Sequence, residues 1–183
     1  YNTYNFFALY ANLDGFTYSE PAIAIEKRPE IDRWIVSELN TLILTVDQAF
    51  TEYEPTKAAR AIQNFVGENL SNWFVRLSRR RYWKGSYGED KISAYQTLYT
   101  CLITISKLAA PVAPFFMDKL FLDLTKNISQ FNDESVHLTT FPISDESLID
   151  SNLERKMKYA QKISSLTLSL RAKEKIKVRQ PLN

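Results

Sequence analysis

Cysteine and histidine are almost missing, with Cys101 and His137 the single copies among 183 residues. One cysteine excludes an internal disulfide, and with a single histidine beside it no Cys/His zinc site can be assembled. Glycine is scarce at four copies and proline adds seven; long stretches hold neither, which argues against turn-rich β architecture and for helices. No apolar run reaches the ~20 residues that span a bilayer, and the N-terminus carries no signal-peptide pattern, so a reducing, cytosolic setting is expected. A P-loop, a Gly-rich dinucleotide turn and a Gly-x-Ser-x-Gly elbow are all absent. The carboxylates Glu20, Glu26, Asp32, Glu38, Asp47, Glu52 and Glu68 are scattered along polar faces rather than paired for acid–base work. With a formal net charge of only +2, any argument about a polyanion has to rest on local clusters.

What is present is helical periodicity. Tyr4 to Asn12 reads as a helix closed by the turn Asn12-Leu13-Asp14-Gly15, and it is already under way where the chain starts, so a preceding segment is expected. An amphipathic pattern from Pro29 to Tyr53 repeats through Ile31, Trp34, Ile35, Leu39, Leu42, Val46, Ala49, Phe50 and Tyr53. Pro55 suits a first helical turn and opens a helix to about Trp83, ~42 Å long at 1.5 Å per residue. After the Gly85 to Gly88 loop, Asp90 is a candidate cap for a helix from Ile92 to Ala109, which holds Cys101 as a small core residue. Pro111 and Pro114 break it, and a shorter helix follows through Phe115, Phe116, Leu120, Phe121 and Leu124. The polar stretch 127–149 reads as a connector with an extended piece at Val136 to Thr139, where His137 is an ordinary surface or strand residue. One more helix runs through Leu153, Met157, Ala160, Ile163, Leu166 and Leu170, and Lys175 to Arg179 then alternates with the period of a strand. The expected architecture is an all-α, up-and-down antiparallel bundle over 1–126, with 150–183 giving a helix and the first strand of a following α/β unit cut short at Asn183.

Within the bundle one stretch stands out. The apolar stripe Ile62, Phe65, Val66, Leu70, Trp73, Phe74 and Leu77 continues at helical spacing into Arg76, Arg80 and Arg81, with Arg79, Tyr82, Trp83 and Lys84 around them. Burying unpaired guanidiniums is too costly, so the core should end near Leu77 and the last turns should meet solvent, an acidic partner or a polyanion. One reading is a helix C-terminus whose cations favour the macrodipole and pair with neighbouring acids. The other is RNA, because Tyr82 and Trp83 interleave stackable rings with phosphate-seeking cations. Lys175, Lys177 and Arg179 are either an extension of that surface or a solvated face. Antiparallel neighbours would bring the loop after Asn12 and the Arg79 to Gly88 segment to one pole, leaving Glu54-Pro55 and Ala109 to Pro114 at the other.

Several motifs together carry a family resemblance over nearly the whole chain: Tyr4 to Phe16 (YNFFALYANLDGF), Asp32-Arg33-Trp34-Ile35, Asn72 to Arg76 with Arg79 to Trp83, Ala109 to Phe115, and Val178-Arg179-Gln180-Pro181-Leu182. The chain resembles the anticodon-binding helical bundle of isoleucyl-tRNA synthetase, a class Ia aminoacyl-tRNA synthetase. The resemblance implies a parent enzyme that joins isoleucine to tRNA(Ile) with ATP and Mg²⁺ and clears misactivated valine in an editing domain. The family's His-Ile-Gly-His and Lys-Met-Ser-Lys-Ser motifs are absent from these residues, as are the editing domain and the Cys-rich zinc modules. The implied role is therefore tRNA binding without catalysis, in a cytoplasmic, monomeric enzyme whose isoleucine and ATP sites lie in other domains. By position, the resemblance puts the anticodon near the pole of Asn12 to Phe16 and Arg79 to Lys84. It nominates Arg76, Arg79, Arg80 and Lys84 for phosphates, Arg81 and Trp83 for base edges or stacking, and Asn12 beside them. Two alternatives stand: a helical scaffold module whose arginines form internal ion pairs, and the equivalent domain of a valyl- or leucyl-type synthetase.

Overall fold

The computed structural model describes residues 1–126, 128 and 133–181. Residue contacts divide it into two units, Tyr1–Ile149 and Asp150–Asn183. Part of the stretch read as a connector (127 and 129–132) and the end of the last motif (182–183) lie outside the described residues.

The first unit is a bundle of helices. α1 (Asn2–Asp14) ends where Gly15 turns left-handed at φ 70°, and the N–H groups of Gly15 and Phe16 both donate to the Ala11 carbonyl. α2 (Glu30–Thr51) starts after Pro29 with Glu30 and Asp32 in its first turn, where the macrodipole favours acids, and buries Trp34, Ile35, Leu39, Leu42, Ile43, Val46 and Ala49. Tyr53, expected on that stripe, instead leaves the helix at φ 57° and is 92% exposed. Pro55 opens α3 (Pro55–Asn64), which continues through a π-helical segment (Phe65–Val75) into α4 (Arg76–Trp83) without a break in the rod. α5 (Glu89–Ala109) is the central helix, packed against α1, α2, α3, α4 and α6. Gly88, rather than Asp90, occupies its N-cap position. α6 (Pro114–Thr125) again begins on proline and buries Leu120, Phe121 and Leu124.

Because α5 is buried on most of its circumference, its polar side chains must find partners inside the protein. Gln96 accepts the Ile23 N–H at 3.0 Å and donates to the Pro21 carbonyl at 3.0 Å, and Thr97 accepts from Arg28 Nη1 at 2.9 Å. These bonds tie the loop between α1 and α2 to α5. Cys101 is fully buried, and burial pushes its thiol pKa up, consistent with a small core residue.

Residues 133–149 lie against the helices. Asp118 of α6 accepts the Val136 N–H at 2.9 Å and the Ser135 hydroxyl at 2.7 Å, while Asn40 of α2 accepts the Asp145 N–H at 2.9 Å. Val136–Leu138 is a 3₁₀ turn rather than the expected extended piece, closed by Ser135 accepting the His137 N–H, and His137 itself is exposed. The buried Val136 packs with Ala110 and Phe121, so this segment is held by side-chain burial and needs no strand partner.

In the second unit, Asp150 caps α7 (Ser151–Lys173) by accepting the N–H groups of Asn152 and Leu153 at 3.1 and 3.0 Å. The strand expected at Lys175 to Arg179 is not there, and no strand occurs among the described residues. Lys175 adopts φ 54°, and Arg171 Nη1 donates to the carbonyls of Lys177 and Gln180, both at 2.9 Å, so the chain folds back on the end of α7. Alternation over five residues suits this turn as well as it suits a strand.

Candidate nucleic-acid interface

The α3–α4 rod does not keep the regular phase that its sequence suggests. Its buried positions run Ala58, Ile62 and Phe65, then Leu70, Phe74 with Val75 beside it, Ser78 and Tyr82. The step from Phe65 to Leu70 is five residues, the i→i+5 repeat of a π-helix, and it falls inside the Phe65–Val75 segment. Everything beyond is offset by one position from a continuous α-helical stripe. Leu77, expected as the last core residue, is 57% exposed. Tyr82, expected beside RNA, is 1% exposed; its hydroxyl donates to the Ala94 carbonyl at 2.9 Å, and its ring meets Phe6 and Tyr95 edge-on at 5.0 Å.

The same offset settles where the cations go. Arg76, Arg79, Arg80, Trp83 and Lys84 fall at i, i+3, i+4, i+7 and i+8, and all five are exposed. Arg76, Arg79 and Arg80 form no ion pair with any described residue. Trp83 shows 57% of its surface, and Lys84 leaves the helix with extended backbone at φ −119°. Asn12 is exposed in the last turn of α1.

Arg81 is the exception among the nominated residues. Its Nη1 donates to Asp32 Oδ1 at 2.6 Å; its Nη2 donates to Asp32 Oδ2 and to the Asp90 carbonyl, each at 2.8 Å. Nε lies 3.0 Å from Asp90 Oδ1, an ion-pair contact rather than an aligned hydrogen bond. The Arg81 side chain is 14% exposed and that of Asp32 is fully buried. Burial disfavours the guanidinium charge, but bonding to Asp32 and Asp90 outweighs it and holds the pKa above the ordinary arginine value. Both terminal nitrogens of Arg81, expected at a base edge, thus donate inside the protein.

A second acid–base contact joins α1 to α5. Asp14 accepts from Lys91 Nζ at 2.8 Å and from the Tyr95 hydroxyl at 2.5 Å. Its own partial burial is outweighed by these bonds, which hold its carboxyl below the usual range, while burial and Asp14 push the Tyr95 phenol up. Tyr87 donates to Glu20 nearby. These links bring the Asp14 turn to the same pole as the α4–α5 connection, as the topology predicts. Three acids there are engaged: Asp14 meets Lys91, and Asp32 and Asp90 meet Arg81, not the outer arginines.

Asp32 and Lys91 were missed as candidates for the site. Asp32, read among the carboxylates of polar faces, is instead fully buried: it falls on the buried face of α2 with Ile35, Leu39 and Val46, where a lone carboxylate demands a buried cation, and that placement was a legible signal. The signal does not say which of the chain's cations answers it. No group of three or more His, Cys, Asp or Glu that could hold a metal ion occurs among the described residues.

The first unit is thus a helical bundle with exposed arginines along α4, and sequence comparisons show its family. The chain belongs to the family described as the anticodon-binding domain of tRNA ligase, whose pattern matches residues 32–183. Among its relatives, the isoleucine–tRNA ligase of Porphyromonas gingivalis is 63% identical and that of Cytophaga hutchinsonii 58% identical, each over 182 residues. The isoleucine–tRNA ligase of Thermus thermophilus is 42% identical over the same length. Each alignment covers all of this chain but only 16%, 16% and 17% of the relative, so the chain spans a small part of the length of the proteins it matches.

Proposed function

We propose that this chain binds the anticodon stem and loop of tRNA(Ile) and so positions the tRNA for ATP-dependent aminoacylation by an isoleucine–tRNA ligase. In this reading the catalytic work, with isoleucine, ATP and Mg²⁺, belongs to other parts of a monomeric cytoplasmic enzyme, and any zinc is bound there as well. The observation that carries the proposal is the α4 ridge: three exposed guanidiniums on one stripe, none of them in an ion pair with a described residue.

Arg76, Arg79, Arg80 and Lys84 are assigned to backbone phosphates, because exposed, unpaired cations gain most from releasing the counterions of a nucleic acid. Trp83 is assigned to stacking on an unpaired base, the usual recognition mode for RNA loops. Asn12 supplies amide donors and acceptors at the same pole. The scaffold alternative requires the arginines to be internal ion pairs, a description that fits Arg81 but not Arg76, Arg79 or Arg80.

The test is competition. The chain is titrated with fluorescent tRNA(Ile), then challenged with an isolated anticodon stem-loop of the same tRNA and with its acceptor stem. Displacement by the stem-loop alone is expected; equal displacement by both RNAs would reduce the interaction to non-specific charge.

A further inference from the structure

Two motifs far apart in sequence meet in one buried contact. Asp32, third residue of α2, receives both terminal nitrogens of Arg81 and the Ser93 hydroxyl at 2.6 Å, so a single carboxylate joins α2, α4 and α5. Arg81 also grips the first turn of α5 through the Asp90 carbonyl. This contact sits in the last turn of α4, one residue beyond Arg80 and two before Trp83. The π segment lies upstream and sets the rotation with which α4 arrives.

A helix end is where fraying is easiest, because its last carbonyls lack intrahelical partners. Arg80 and Trp83 on a fraying last turn, with Lys84 just beyond it, would each lose freedom on meeting RNA. A bidentate, buried anchor on the opposite face removes the backbone part of that cost before binding. We infer that Arg81 is a positioning residue for RNA: clamped by Asp32 and Asp90, it locks the π-set rotation of α4 so that Arg76, Arg79, Arg80 and Trp83 form a fixed ridge. The inference rests on the reading of this chain as an RNA-binding domain.

Charge gives the inference a sharp test. Asp32→Asn removes a negative charge close to the ridge while keeping Arg81 in place, so simple electrostatics predicts tighter RNA binding. Loss of the clamp predicts weaker binding. Affinity for tRNA(Ile) is measured for the unsubstituted chain, Asp32→Asn, Arg81→Lys and the double variant, at a temperature where circular dichroism shows each fully folded.

Each single change is expected to weaken binding about tenfold, with the double variant no weaker than either, because both break one unit. Arg81→Lys is informative in its own right: it keeps the charge and would preserve a phosphate contact, but it cannot make the fork. Ser93→Ala, which loosens Asp32 without leaving a charge unpaired, is expected to weaken binding about two- to threefold, and it carries the test if Asp32→Asn does not fold. Asp32→Asn or Ser93→Ala binding as tightly as the unsubstituted chain, with only thermal stability reduced, would overturn the inference and leave the proposed function standing. Failure of the unsubstituted chain to bind the tRNA would remove both.

Discussion

Arg80 and Arg81 are adjacent, chemically identical and opposite in circumstance. Arg80 is exposed and unpaired among described residues; Arg81 is nearly buried and holds two acids. The difference teaches that residue type and local spacing do not decide whether an arginine serves the fold or a ligand. What decides is the rotation of the helix, and here that rotation comes from a five-residue step between Phe65 and Leu70.

The largest effect should come from breaking the inner side of this comparison. Arg81→Met strands the buried Asp32 carboxylate and is expected to cost about 3–5 kcal/mol in urea unfolding, whereas Arg80→Met should change stability by about 0.5 kcal/mol or less. Equal effects at the two positions would mean the partition is not real. Next in size is a test of the offset itself. Leu70→Ala should cost about 2–5 kcal/mol because Leu70 is fully buried, while Leu77→Ala should cost about 0.5 kcal/mol or less at its exposed position. A regular α-helix would bury both residues and make the two losses alike.

A smaller effect concerns the Asp14 contact at the same pole. Asp14 has a lowered pKa in the folded chain, so its contribution is present above the unfolded carboxylate value and is lost as pH falls through the folded one. Stability should therefore drop as pH falls below about 4. Lys91→Met removes the ammonium that favours the Asp14 carboxylate and should flatten that drop relative to the unsubstituted chain; thermal melts between pH 2.5 and 7 would show it. Parallel profiles for the two chains would assign the acid sensitivity to other carboxylates.

Much of the bundle was legible in the sequence because its signals are local. Pro55, Pro114 and the Asn12 to Gly15 turn mark helix ends, and the stripe from Trp34 to Ala49 announces a buried face. The site was legible as a cluster but not as a division of labour. Nothing near Arg81 names Asp32, which lies 49 residues away, and no periodicity count anticipates a π step that depends on how the rod packs against α2 and α5. Tyr82 and Leu77 exchanged roles for the same reason. Lys175 to Arg179 failed differently: five alternating residues are too few to separate a strand from a turn held by Arg171.

The outer side of the comparison is best tested by salt dependence. Affinity of Arg79→Ala/Arg80→Ala for tRNA(Ile) is measured against salt concentration beside that of the unsubstituted chain. If these two guanidiniums neutralise phosphates, the slope of log affinity against log salt becomes shallower by roughly two units, one per cation removed, with no loss of thermal stability. An unchanged slope and unchanged affinity would contradict the account.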